Sequence, residues 1–234
     1  MSMSFATKST CRPAGRRLHV ALSIPDGAPA TGPAGKPADG TLLDRLLPLA
    51  HAAPDLRVGT LTIRVPDAHA GPVAEVLDRE VSDLRRRAIR VTVPGRRAEF
   101  SADLRRAVGT AERATAAGRR LHLRLAIGAS SRDSIVAAFQ GWDDRPPRTR
   151  AEVTWILGAD GPPAAPVPDV DVLVLVGGAA RLCDFLLWEC ARAEVRVVGA
   201  DWRSLRPSHL GAALGTAGRR TPKSRRALAA GARP

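Results

Sequence analysis

Apolar positions along the chain fall into two alternating rhythms. Leu18 to Ile24 is a short, nearly continuous apolar run of the length a buried strand takes. Val58 to Val65 sets Leu61, Ile63 and Val65 against Thr60, Thr62 and Arg64, a strand with two unlike faces. Ile89–Val93, Leu121–Ile127, Glu152–Leu157, Val170–Val176 and Val195–Val198 read as further strands. Between them the spacing changes to the helical one. Thr41 caps a helix through Leu42, Leu43, Leu46, Leu47 and Leu49, which Pro48 is expected to bend or shorten. Pro72 opens a helix carrying Val73, Val76, Leu77, Val81 and Leu84 on one face. Phe100–Ala117, Ser131–Phe139, Arg181–Ala193 and Pro207–Leu214 complete the helical set.

Strands alternating with helices point to an α/β single domain with a mostly parallel central sheet flanked by helices. Its expected bounds are 17–215, between a disordered tail at 1–16 and a basic disordered tail at 216–234. In such sheets ligands bind beyond the carboxyl ends of the strands. The segments to search are therefore Pro25–Gly40, Pro66–Gly71, Gly128–Arg132 and Gly177–Arg181.

Composition narrows the classes. With 44% apolar residues over 234 positions, the chain carries enough material for one good-sized core. No apolar run reaches the roughly 20 residues of a membrane span, and Met1–Arg17 lacks the apolar stretch of a secretory signal. Three cysteines give neither a disulfide framework nor metal-ligand spacing, which fits a cytoplasmic protein with reduced thiols. The five histidines form no paired ligand motif, so a zinc site is not expected. The net charge of +13, nearly all arginine, suits an anionic membrane surface or phosphorylated substrates. Nucleic-acid binding through Arg219–Arg233 would rest on charge alone and is not expected.

Three local motifs bear on chemistry. Asp26-Gly27 directly follows the first strand: the carboxylate suits Mg²⁺ held against a diphosphate, and the pair equally suits an ordinary turn. Gly177-Gly178-Ala179-Ala180-Arg181 joins a strand to a helix, placing backbone N–H groups and a guanidinium fork where phosphate binds, or making a tight turn with a surface arginine. Ser130-Ser131-Arg132-Asp133 opens a helix and is explained by capping.

From residue 18 to about 214 these pieces resemble, in order, the cis-prenyltransferases, the undecaprenyl diphosphate synthase family. Arg181-Leu182-Cys183-Asp184-Phe185-Leu186-Leu187-Trp188-Glu189, with Glu194 and Trp202, resembles R-[IL]-S-N-F-L-L-W-Q…A-E…W. Asp171 to Gly178 is similar to D-L-L-I-R-T-G-G, and Ala126 to Ile135 to A-x-N-Y-G-G-R-x-E-I. His19-Val20-Ala21 with Asp26-Gly27 resembles H-V-A…D-G-N-G-R-W.

The resemblance implies a homodimeric transferase that condenses an allylic prenyl diphosphate with isopentenyl diphosphate or a non-standard acceptor, in specialised metabolism. It implies Mg²⁺ at Asp26 and Glu194, Asp26 as the catalytic residue, and Gly27, Arg181, Cys183 and Arg132 as the diphosphate-binding set. Peripheral membrane contact is compatible with it. Several positions depart from the pattern. N-G-R-W is replaced by Ala28-Pro29-Ala30-Thr31, the arginine of I-R-T-G-G by Leu175, the following glutamate by Ala179, and S-x-x-N-W-x-R by Pro66–Gly71. At about 1.5–3 kcal/mol per charge-assisted contact, the missing arginines remove on the order of 5 kcal/mol of diphosphate affinity unless others substitute. Lys36, Arg45 and Arg64 are the candidates. The alternative is a catalytically degenerate homologue serving as partner subunit or lipid-diphosphate binder.

Overall fold

Leu18–Ser23 forms β1, and Val58–Val65 lies beside it as β2, both buried on the face that carries their branched residues. In the computed structural model the described residues are 16–26, 40–95, 97–140, 149–157, 168–178 and 184–215. Ile89–Thr92 is β3, Leu121–Ile127 β4, Val172–Val176 β5 and Glu194–Val198 β6. All neighbours pair in parallel, in the order β3-β4-β2-β1-β5-β6. The helices are α1 (Leu42–Ala52), α2 (Val73–Arg86), α3 (Ala102–Thr115), α4 (Ser131–Gln140), α5 (Arg150–Leu157) and α6 (Pro207–Gly215).

The two faces of the sheet differ in character. One carries Val20, Leu22, Leu61, Ile63, Leu123, Leu125 and Val174, buried under α1, α2, α3 and α6 in the main core. The opposite face presents His19, Thr62 and Arg124 from neighbouring strands, beside a smaller apolar cluster of Ala21, Ala126, Leu173, Leu175 and Phe185. Period-2 alternation along β2 and β4 thus assigns the branched residues to one side and the polar ones to the other.

Helix starts follow local chemistry. Thr41 and Asp44 form a reciprocal capping box on α1: Thr41 Oγ1 accepts from the Asp44 N–H at 3.2 Å, and the Asp44 carboxylate accepts from the Thr41 N–H at 2.7 Å. Pro48 does not shorten α1, which runs on to Ala52 with the proline on its exposed side.

Two expectations are corrected. Glu152–Leu157 is not a strand but belongs to α5. Thr149 and Glu152 make a second capping box, with Glu152 N–H to Thr149 Oγ1 at 3.2 Å and Thr149 N–H to Glu152 Oε2 at 3.1 Å. The expected helix over Arg181–Ala193 is also absent wherever the chain is described: residues 184–192 are bends and turns. The Cys190 N–H still bonds to the Leu186 carbonyl within the segment, but several of its groups bond to other elements. The Asp184 carboxylate caps α4, accepting from Ser130 Oγ at 2.6 Å and from the Arg132 N–H at 3.0 Å. Ser131 Oγ accepts from the Leu187 N–H, and the Glu189 carbonyl accepts from the Val170 N–H. The expected tails lie outside the described residues, apart from Arg16.

Candidate functional site

The chain leaves β1 toward β2 and leaves β5 toward β6, on opposite sides. The topological switch point therefore lies between the carboxyl ends of β1 and β5, which pair as far as Ser23 and Leu175. Two turns meet there. Gly177 packs on Pro25, close enough that a Cβ on Gly177 would sit 3.6 Å from the proline Cγ. Gly177 and Gly178 have φ of +87° and +75°, the left-handed region that glycine enters without strain. The Gly177 N–H is shared between the carbonyls of Val198 and Ala200, which ties this turn to the end of β6.

Asp26 stands in the turn after β1 with its side chain 69% exposed. Its Oδ1 accepts from Nη2 of Arg64, whose side chain is only 15% exposed. Arg64 Nη1 donates to the Ile24 carbonyl at 2.9 Å, so the guanidinium is fixed to the backbone just ahead of the turn. Arg64 reaches this place because it occupies the polar face at the end of β2, next to β1.

Beyond the end of β2 lies a cleft of about 320 Å³ lined by Asp67, Gly71, Phe100, Leu104, Ile127 and Gly128 among others. Its floor is apolar, its rim carries Asp67 and Glu99, and its size is at the lower end for small-molecule pockets. His69, from the loop at the rim, is buried edge-on against Trp202, with ring centroids 5.0 Å apart.

A second polar group lies deeper, on the face away from the main core. His19 is held by the Pro168 carbonyl at Nδ1 (2.7 Å) and by Thr62 Oγ1 at Nε2 (2.8 Å). Arg124 Nη1 also contacts Thr62 Oγ1, at 3.4 Å. Burial lowers the His19 pKa to about 4, with Arg124 adding to the effect. Burial likewise lowers His122 to about 3 and Arg124 to about 10, and raises Glu189. The cavity bordered by Arg124, Ser131, Phe185, Trp188 and Glu189 is about 50 Å³. That is room for a water or two.

The expected site residues are only partly brought together. Asp26 is at the switch point. Arg132 is exposed at the start of α4, beyond β4, and β2 intervenes between β4 and β1. Glu194 begins β6 level with Val172, and therefore with Val20, while Asp26 lies six residues beyond that level. β1 runs about 10 Å past that level to Ser23 before the turn, so Glu194 lies at the amino end of its strand and Asp26 beyond the carboxyl end of its own. Glu194 pairs with Arg196 instead. Gly27, Arg181, Cys183 and Lys36 lie outside the described residues. Arg45 is exposed on α1. Leu175, at the position where the resemblance has an arginine, is buried in the apolar cluster with Phe185. In the sequence Arg64 is one candidate cation beside Lys36 and Arg45. The one available signal was its place as the last polar-face residue of an alternating strand.

Comparison with known proteins agrees with this architecture. The model of the prenyltransferase family described as undecaprenyl diphosphate synthase matches residues 68–224. The chain is similar to isoprenyl transferase 1 of Bradyrhizobium diazoefficiens, at 34% identity over 178 residues, 71% of each chain. It is similar to the isoprenyl transferase of Brucella suis, at 31% identity over 194 residues, 74% of each. Among solved structures, lavandulyl diphosphate synthase from Lavandula x intermedia in complex with dimethylallyl diphosphate shares the fold, with a TM-score of 0.72 at 21% identity, covering 87% of this chain and 95% of that one.

Proposed function

The chain belongs to the undecaprenyl diphosphate synthase family of prenyltransferases, and from that premise we propose that it transfers the prenyl group of an allylic diphosphate, gripped at the switch point, to isopentenyl diphosphate or a non-standard acceptor. The observation that carries the reading is the meeting of Asp26, Arg64 and the left-handed Gly177-Gly178 turn between β1 and β5.

In this reading the allylic C1–O bond breaks and the diphosphate leaves with the electron pair. The acceptor's π electrons form a new C–C bond at C1, and a proton is then lost from the acceptor. Arg64 neutralises charge on the departing diphosphate, as preorganised donors do most effectively where water is scarce. The 320 Å³ cleft, opening from the same strand three residues on, takes the start of the apolar tail. Among the described residues no cluster of three acidic, histidine or cysteine side chains forms a metal cage. A single exposed carboxylate beside a diphosphate site nevertheless suits Mg²⁺, which usually binds through one or two carboxylates and substrate phosphates. Asp26 would hold the ion, which when bound supplies charge neutralisation to the leaving group.

Buried Leu175 favours an acceptor other than isopentenyl diphosphate, because an apolar side chain stands where the resemblance has an arginine. The same fact supports the second reading, a non-catalytic partner subunit. Purified protein incubated with Mg²⁺, labelled C5 to C20 allylic diphosphates and candidate acceptors separates them. Product formation abolished by Asp26→Ala is expected; absence of both turnover and binding across the donors would refute the proposal. The chain is also read as a cytoplasmic homodimer, with peripheral membrane contact through its basic surface. Support for the dimer comes from β6, an edge strand with Val195 and Val197 at 46% and 51% exposure.

A further inference from the structure

The two partners of the Asp26–Arg64 pair are unequal, with Arg64 15% and Asp26 69% exposed. Arg64 is pinned: its stem lies on the sheet, its side chain is largely covered, and Nη1 is bound to the Ile24 carbonyl. Asp26 is on an exposed turn and is attached to Arg64 through one oxygen. If the pair opens, Asp26 moves and Arg64 stays. The guanidinium left behind faces the switch point with a charge and a planar fork that match phosphate better than they match one carboxylate oxygen.

We propose that this ion pair is a latch on the diphosphate site. In the ligand-free chain Arg64 holds Asp26. An entering diphosphate takes Arg64 in its place and frees the Asp26 carboxylate. Arg64 is then a specificity residue for the diphosphate group, lying ahead of the residues 68–224 that match the family model. The inference rests on the diphosphate reading above and adds to it an order of events. Without metal, Asp26 competes with the ligand for Arg64. Removing Asp26 therefore strengthens metal-free diphosphate binding in two ways, by ending that competition and by removing a like charge. Only the first of these needs Arg64.

The test is calorimetric titration of the full chain in EDTA with inorganic pyrophosphate and with farnesyl diphosphate. Wild type, Asp26→Asn, Arg64→Gln, Arg64→Lys and the double variant form a cycle. Arg64→Gln is expected to weaken binding about 10- to 100-fold, the loss of one charge-assisted contact, and Arg64→Lys to recover part of it. Asp26→Asn is expected to tighten binding at least threefold when Arg64 is present and distinctly less in the Arg64→Gln background. Equal gains in both backgrounds, or Arg64→Gln within twofold of wild type, would overturn the latch and leave the diphosphate site standing. A wild type that binds neither ligand, with or without Mg²⁺, would overturn the functional reading as well. Circular dichroism checks the fold of each variant; should Arg64→Gln not fold, Arg64→Lys runs the same cycle.

Discussion

Lowering the pH from 7 to 5 should destabilise this protein through two buried histidines. His19 is 1% exposed, and its hydrogen bonds fit the neutral ring. Nδ1–H donates to the Pro168 carbonyl, so Nε2 accepts from the Thr62 hydroxyl, whose oxygen in turn accepts from Arg124. A second proton on the ring would leave Thr62 with two donors pointing at it and set a cation near Arg124. Burial first, and the Arg124 charge after it, lowers the native pKa to about 4 against an ordinary 6.5, and burial with the charges of Arg124 and Arg90 lowers His122 to about 3.

The sign follows from linkage. Above pH 6.5 neither state binds the proton and nothing is lost. Below it the unfolded chain gains protons that the native one refuses, so stability falls until the native pKa is reached. At pH 5 an unfolded histidine is almost wholly protonated and native His19 about one-tenth, a difference of about 2 kcal/mol per residue. Two such residues give about 4 kcal/mol, a large share of the 5–15 kcal/mol typical of a domain. His51, also lowered by burial, acts in the same direction. Glu189, raised by burial, acts in the opposite one, because its native form takes up a proton first as the pH falls. Asp44 and Asp83, held below 3.8, lose their contribution only as the pH drops through that region, outside this window. Urea unfolding at pH 7, 6 and 5 reads the slope, and His19→Asn should remove about one proton from it. A stability that does not change between pH 7 and 5, or an unchanged slope in His19→Asn, would refute the reasoning.

Three further outcomes are expected. Thr41→Ala removes one half of the α1 capping box and should cost about 1 kcal/mol in urea unfolding, with Thr41→Ser restoring most of it. Gly95→Ala places a Cβ 2.2 Å from the Ile127 carbonyl oxygen at φ +136°, so the backbone must shift; a loss of more than about 2 kcal/mol is expected, read as a fall in the urea midpoint. Val197→Lys puts a charge on the exposed face of β6 and should convert the proposed homodimer to monomer in analytical ultracentrifugation without changing circular dichroism.

The residue order by itself determined most of the element sequence, because each strand and helix is a local periodicity with a local stop. Val58–Val65 and Leu121–Ile127 are read to the residue, since branched residues and alternation coincide there with flanking glycine or arginine. The capping box at Thr149 was equally legible and outweighs the β-branched residues that suggested a strand. The motif residues also pointed to the family, and to the carboxyl ends of the strands as the place of chemistry. Tertiary structure alone decided what those residues touch. That Arg64 of β2 holds Asp26 follows from β1 and β2 lying side by side. That Glu194 starts its strand while Asp26 lies beyond the far end of its own follows from the register of β1, β5 and β6. The segment 184–192, whose spacing suits a helix, is bent because Asp184, Leu187 and Glu189 bond to α4 and the lead-in to β5. His19 became a buried neutral base only when Thr62 and Arg124 closed over it. Pairwise contacts between strands distant in sequence carry no local signature, so they appear only once the sheet is assembled.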